Sequence, residues 1–173
     1  MCLIPGAAPL SGVTMQQLSM NDLAVQSTAI IRGQVVSSYM AQSAQTIYTH
    51  YRISVEETWK GPASSTIDVA LPGGTANGVR QTFPGVPQLS GGVDYVLYLW
   101  TSPQSGLTFP TGFSQGIFTV TGGASALMTS RAPTSELMLD TKGHPVQDPG
   151  VSIPLPTMKS QVAAALTKQA GVK

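Results

Sequence analysis

The chain has 173 residues, of which 42% are apolar and only 10% charged, nine basic against eight acidic. This length fits one domain, or one domain with appendages, and is enough to bury a core. It excludes a disulfide framework within the chain, because Cys2 is the only cysteine. No basic stripe offers nucleic acid a footprint, and no apolar run reaches the ~20 residues of a membrane-spanning helix.

The first charged residue is Asp22, and the segment before it is apolar, rich in small residues and interrupted by Pro5 and Pro9. An export signal needs a basic start and an unbroken apolar stretch. Residues 1–14 therefore read as the remnant of such a signal, or else as a plain flexible arm. With a polar surface made of Ser, Thr, Gln and Gly, the expected location is extracytoplasmic or secreted.

Ser19 and Asp22 have capping-box spacing and predict a short helix ending near Ser27, with Leu18, Leu23 and Val25 on its apolar side. Residues 29–37 read as a strand with Gly33 in its interior, the mark of a bulge or sharp bend. After a polar loop at 38–45, residues 46–59 alternate with period two. Ile47, Tyr51, Ile53, Val55 and Trp59 share one face, and Tyr48, His50, Arg52, Ser54, Glu56 and Thr58 the other. Lys60-Gly61-Pro62 ends this strand. Residues 66–71 form a short strand, stopped by Pro72-Gly73-Gly74.

Residues 72–92 form a long, irregular connection rich in Gly and Pro. Residues 93–100 are apolar on both faces, as in a central strand covered on two sides. A loop at 101–115 leads to a strand at 116–120. Residues 136–146 predict a hairpin with Asp140 and Gly143 in its turn. A Pro-rich stretch at 147–156 precedes a helix from Thr157 to about Gln169. Met158, Val162, Ala165 and Leu166 lie on one face of that helix, and Lys168 suits its C-terminal end. The expected fold is mainly β: a five-stranded OB-fold-like barrel, closed or partly open, with a short N-terminal helix, a C-terminal hairpin and a C-terminal helix. A β-sandwich is the alternative. The organisation is an arm at 1–14, the barrel at 15–124 and an appendage at 125–173.

Three segments occur in a suggestive order: Ala29-Ile-Ile-Arg-Gly-Gln-Val35, Tyr51-Arg-Ile-Ser-Val-Glu-Glu-Thr-Trp-Lys-Gly-Pro62 and Gly92-Val-Asp-Tyr-Val-Leu-Tyr-Leu99. Over residues 27–120 this order resembles the netrin-like module of tissue inhibitors of metalloproteinases, and also uncharacterised secreted bacterial proteins of the same layout. The resemblance implies an OB-type barrel and a protein partner, with a metalloprotease as the candidate. Animal members carry disulfides and an N-terminal cysteine that chelates the protease zinc. Cys2 has no disulfide partner and lies far upstream of the first strand, so the resemblance speaks for the fold more than for inhibition.

Gly112-Phe-Ser-Gln-Gly116 matches the G-x-S-x-G pattern of a serine hydrolase, with Asp140 and His144 downstream in the matching order. That chemistry needs a helix after the serine, and here a strand follows, so a Ser114 hydrolase is a remote alternative. His50, His144 and Cys2 do not form a metal-ligating cluster, and no cofactor is expected. Recognition by loops on a rigid scaffold remains. The candidate binding residues are Pro72, Gly73, Gly74, Val79, Phe83, Val86 and Leu89, with Phe83 and Leu89 alternatively plugging the barrel end. The expected function is that of a non-enzymatic exported protein-binding module. A carbohydrate or small-molecule binding module and a structural envelope protein are the alternatives.

Overall fold

The computed structural model describes residues 14–123, 126–134 and 136–171, so the expected arm at 1–14 lies outside the described residues except for Thr14. β1 (Thr14–Gln16) leads to α1 (Met20–Gln26), whose Ser19–Asp22 capping box is formed. Two long strands follow, β2 (Ala29–Ser43) and β3 (Thr46–Lys60), and then β4 (Thr66–Pro72). The connection at 72–92 contains a small hairpin, β5 (Gly74–Ala76) and β6 (Val79–Gln81), and β7 (Asp94–Thr101) comes next. β8 (Thr108–Pro110), a 3₁₀ turn (Phe113–Gly116) and β9 (Ile117–Thr121) complete the middle of the chain. The last third holds β10 (Met128–Arg131), β11 (Leu137–Leu139), β12 (Pro145–Val146), β13 (Val151–Pro154) and α2 (Leu155–Ala170).

The fold is mainly β. One sheet runs in the order β13-β10-β9-β7-β2-β3-β4, with every ladder antiparallel, and β8 pairs with β7 off this path. Among the described residues no ladder joins β4 to β8, so the barrel expected from the sequence is not closed. The ends that face each other carry Pro72 and Pro110, and proline has no amide hydrogen with which to continue a ladder. Residues 125–173, set apart in the sequence as a hairpin and a helix, also supply β10 and β13 to this same sheet.

The sheet buries both faces around β7 and the first half of β2. Ile30, Val96, Tyr98 and Phe118 pack on one side against Leu23 and Ala24 of α1 and Met158, Val162 and Ala165 of α2. Ile31, Ile53, Val69, Leu71, Leu97 and Leu99 fill the concave side. Ala24, not the expected Val25, is the second buried residue of α1, since Val25 is 40% exposed. α2 begins at Leu155, not at a Thr157 cap, because the Pro-rich stretch supplies β13 and then a proline in the first helical turn.

Register shifts fall at Ile30/Ile31, Arg32/Gly33 and Val35/Ser37 of β2. Between the pairs Gly33↔Val55 and Arg32↔Glu57, β3 holds an extra residue, Glu56. A bulge reverses the alternation. Trp59, expected on the face of Ile53, therefore packs on the helix side instead. There its Nε1 donates to Glu57 Oε2 at 3.1 Å. Gly33 is required by this geometry: a Cβ there would come within 2.2 Å of the Ser54 carbonyl oxygen.

Charge pairs stitch the elements together. Arg32 donates to Asp94 through Nε and Nη2, at 3.0 and 2.7 Å, and to Glu57 through Nη1 at 3.1 Å. Lys159 of α2 donates to the other Glu57 oxygen at 2.6 Å. The bond from Lys159, aided by those from Trp59 and Arg32, lowers the Glu57 pKa to about 2. The Arg131 guanidinium makes a two-pronged pair with Asp148, and Thr134 and Gly150 add backbone N–H groups, so Asp148 also falls to about 2. Lys60 Nζ donates to the carbonyls of Ala24 and Val25 at the C-terminal end of α1.

Two predictions follow from this packing. Gly33→Ala forces backbone apart at the bulge and lowers stability by more than about 2 kcal/mol in urea unfolding, whereas Gly123→Ala, with open space around it, changes little. Glu57 and Asp148 have folded pKa values below their ordinary ones, so their stabilisation is complete above about pH 5. It is lost as pH falls through 4.5 and 3.8 toward about 2. The melting temperature should drop across that window, and Glu57→Gln should flatten part of the drop.

Candidate functional site

Two clefts open on either side of Leu71 and Pro72, at the end of β4. The first, of about 400 Å³, lies under the 73–89 connection and is floored by Ser38, Met40, Thr49 and Tyr51 of β2 and β3. Six of the residues expected to bind line it: Pro72, Gly73, Gly74, Phe83, Val86 and Leu89. Val79 does not; it opens β6 and is 55% exposed.

The connection that read as irregular is held by specific bonds. Asn77 and Gly78 both have positive φ, 52° and 75°, and turn the β5–β6 hairpin. The Asn-Gly pair is the usual signal for such a turn. Gly73 N–H donates to Ile47 O at 2.7 Å, and Thr49 Oγ1 donates to Gly73 O at 2.9 Å. Gln81 accepts from Ile47 N–H at 2.7 Å and donates to Gln45 O at 2.9 Å, which ties the connection to the turn between β2 and β3. Gln81 carries no special sequence signal, because its role depends on a segment 34 residues away. Leu89 is buried at 6% exposure and belongs to the concave core, with Val86 packed against it. Phe83 remains 41% exposed. Leu89 is thus the plug and Phe83 the surface group. Burial raises the pKa of the Tyr51 hydroxyl on the cleft floor, which keeps it neutral.

The second cleft, of about 650 Å³, lies where β4 and β8 fail to pair. Its walls include Trp100, Phe109, Pro110 and Phe113, and none of its lining residues is charged. Trp100 and Phe109 stack with ring centres 6.4 Å apart, and Phe109 lies 5.9 Å from Tyr48. Gly112 and Phe113 are both left-handed, at φ 65° and 54°, and Phe113 is 41% exposed. A bulky residue at positive φ stores strain, and here that strain displays an aromatic ring at a cleft.

The Gly112–Gly116 motif acts through its glutamine. Gln115 is 2% exposed, donates to Gln16 O at 3.0 Å and accepts from Leu18 N–H at 2.8 Å, fixing the segment between β1 and α1. Ser114 Oγ is buried without a hydrogen-bond partner. Asp140 and His144 sit together in an exposed hairpin turn, where Asp140 Oδ1 accepts from the backbone N–H groups of Lys142 and His144. A 3₁₀ turn and a strand follow β8, in place of the helix of a nucleophile elbow. Among the described residues no group of three or more His, Cys, Asp or Glu is placed to hold a metal ion. No helix there is long and apolar enough to cross a membrane.

No model of a known protein family matches the chain, and comparison with curated proteins and with solved structures gives no match either.

The division between plug and surface group is testable. Leu89→Ala should cost about 2–4 kcal/mol of stability, whereas Phe83→Ala should stay within about 0.5 kcal/mol of the parent in urea unfolding.

Proposed function

We propose that the chain is a non-enzymatic, exported protein-binding module of netrin-like type. Its contact surface is the rim formed by the 73–92 connection and the exit of the N-terminal segment. One juxtaposition carries this reading. Thr14, where the described chain begins, pairs with Leu137 of β11. The neighbouring Glu136 packs its carboxylate against Gly85 of the connection, where any Cβ would meet it at 2.3 Å. β1, which begins at Thr14, thus pairs with the strand whose neighbouring residue meets the connection that carries Phe83. Val79, Phe83 and Leu137 are exposed apolar groups on these same elements. The strand path β4-β3-β2-β7-β8, with β8 lying beside β4, supports an OB-like arrangement opened at one seam.

On the motif order of its strands, the partner class proposed is a zinc metalloprotease. The test is inhibition of a panel of such proteases by the full chain, by a chain beginning at Ser11, and by the double variant V79S/F83S. The expected result is submicromolar inhibition that weakens at least about tenfold in both altered chains. No inhibition by the full chain removes the protease reading. Equal inhibition by V79S/F83S removes the rim.

The uncharged aromatic cleft between β4 and β8 favours a second reading, a site for a neutral sugar or other small molecule. Titration with neutral oligosaccharides should then change Trp100 fluorescence, and an unchanged signal sets this reading aside.

A further inference from the structure

β2 is covered along only part of its second edge. β7 pairs with it from Ala29 to Gln34. Gly91 then bridges to Val35, and Gly92 N–H donates to Val35 O at 3.0 Å. Beyond that point β2 continues to Ser43, paired with β3 on one side and, among the described residues, with no strand on the other. The β5–β6 hairpin does not fill this edge. It lies on the concave face, where Gly74 meets the side chains of Met40, Thr49 and Ile47.

An unpaired edge presents a row of backbone donors and acceptors to another strand, and proteins usually guard it with lysine, proline or an inward-pointing charge. This edge has none of them. Between Arg32 and Arg52 there is no Asp, Glu, Lys, Arg or Pro. The only irregularity is the shift around Val36, which lies before the free stretch. Val36, Tyr39 and Met40 are 58%, 45% and 51% exposed.

We propose that this edge pairs with the same edge of a second copy of the chain, antiparallel and centred on Tyr39. The side chains fit their own images in that register. On the convex face Tyr39 meets the other Tyr39, flanked by the small pair Ser37 and Ala41. On the concave face Ser38 stands opposite Met40, small against large. Tyr39 already stacks on His50, with ring centres 4.7 Å apart and planes 7° apart. Self-pairing extends that stack to four rings across the two-fold axis. Directly opposed residues in such a pair have Cβ atoms about 4.5–5.5 Å apart, close enough for ring contact. The contact is isologous, as a two-fold axis demands. A few residues of edge bury less than the ~800 Å² per partner of a stable interface, so the dimer is weak and reversible.

The test is sedimentation of the full chain from about 10 µM to 1 mM. A concentration-dependent monomer–dimer equilibrium is expected. Tyr39→Phe should preserve it. Tyr39→Lys sets two ammonium groups across the axis and should raise the dissociation constant at least about tenfold. In a Cys2→Ser background, Tyr39→Cys should cross-link under mild oxidation. Val36→Cys should not, because it faces Gln42 and lies about 20 Å from its own image. Circular dichroism shows that each variant is folded. A monomer at every concentration overturns the proposal and leaves the edge to an extended segment of another protein. Equal cross-linking at positions 36 and 39 overturns the register.

Discussion

The structure depends on one constraint: β2 must be a buried spine in its first half and something else in its second. Ile30 and Ile31 point to opposite sides of the sheet, and both are almost fully buried. This requires a helix layer on one face and the concave core on the other. The register shifts at Arg32/Gly33 and Val35/Ser37 then end this arrangement within a few residues. They bend the strand away from β7, and the close approach of Gly33 to the Ser54 carbonyl admits no side chain. The long β2–β3 hairpin, the uncovered edge and the floor of the first cleft all follow from that bend.

Electrostatics hold the layers in register. Few charges are present, and most of the acidic ones are engaged. Arg32 gathers Asp94 and Glu57 from the strands on either side of β2, and Glu57 reaches on to Lys159 of α2. Arg131 and Asp148 join β10 to the segment before β13, with little exposure. Removing one member of such a pair leaves an uncompensated charge, a greater loss than that of one exposed ion pair. Outside these pairs the described surface carries scattered charges, Arg80, Lys142 and Lys168 among them, and the net charge of +1 is too small for strong long-range steering.

Much of this was legible in the residues. The apolar face of Ile47, Tyr51 and Ile53, the two-sided apolar run at 93–100, the Ser19–Asp22 box and the Asp140–Gly143 turn each read correctly, because each is set by local pattern and turn chemistry, whereas His50, expected on the polar face, is buried at 8% exposure. What escaped was set by distant partners. The alternation of Trp59 is reversed by a bulge opposite β2. β13 hides in a Pro-rich stretch because its ladder partner lies twenty or more residues upstream. Closure of the barrel fails at Pro72 and Pro110, which meet only in three dimensions. Of the candidate site, six of seven residues do surround one cleft, but Leu89 had to be placed before it could be told from a surface contact. Gln81 and Gln115, which fix the loop and the N-terminal segment, gave no local sign. The Asn77-Gly78 turn did give one, within a connection that read as irregular.

Recognition at the rim and pairing at the edge draw on the same split strand, which supplies a rigid base at one end and unguarded backbone at the other. Residue-resolved amide hydrogen exchange at low protein concentration tests this division most directly. Amides of Ile30, Ile31, Val96 and Leu97 should exchange only through global unfolding. Those of residues 37–43 that point away from β3 should exchange many-fold faster. Uniform protection along the whole of β2 in the dilute protein would contradict the account, because it would mean that the strand has no free edge.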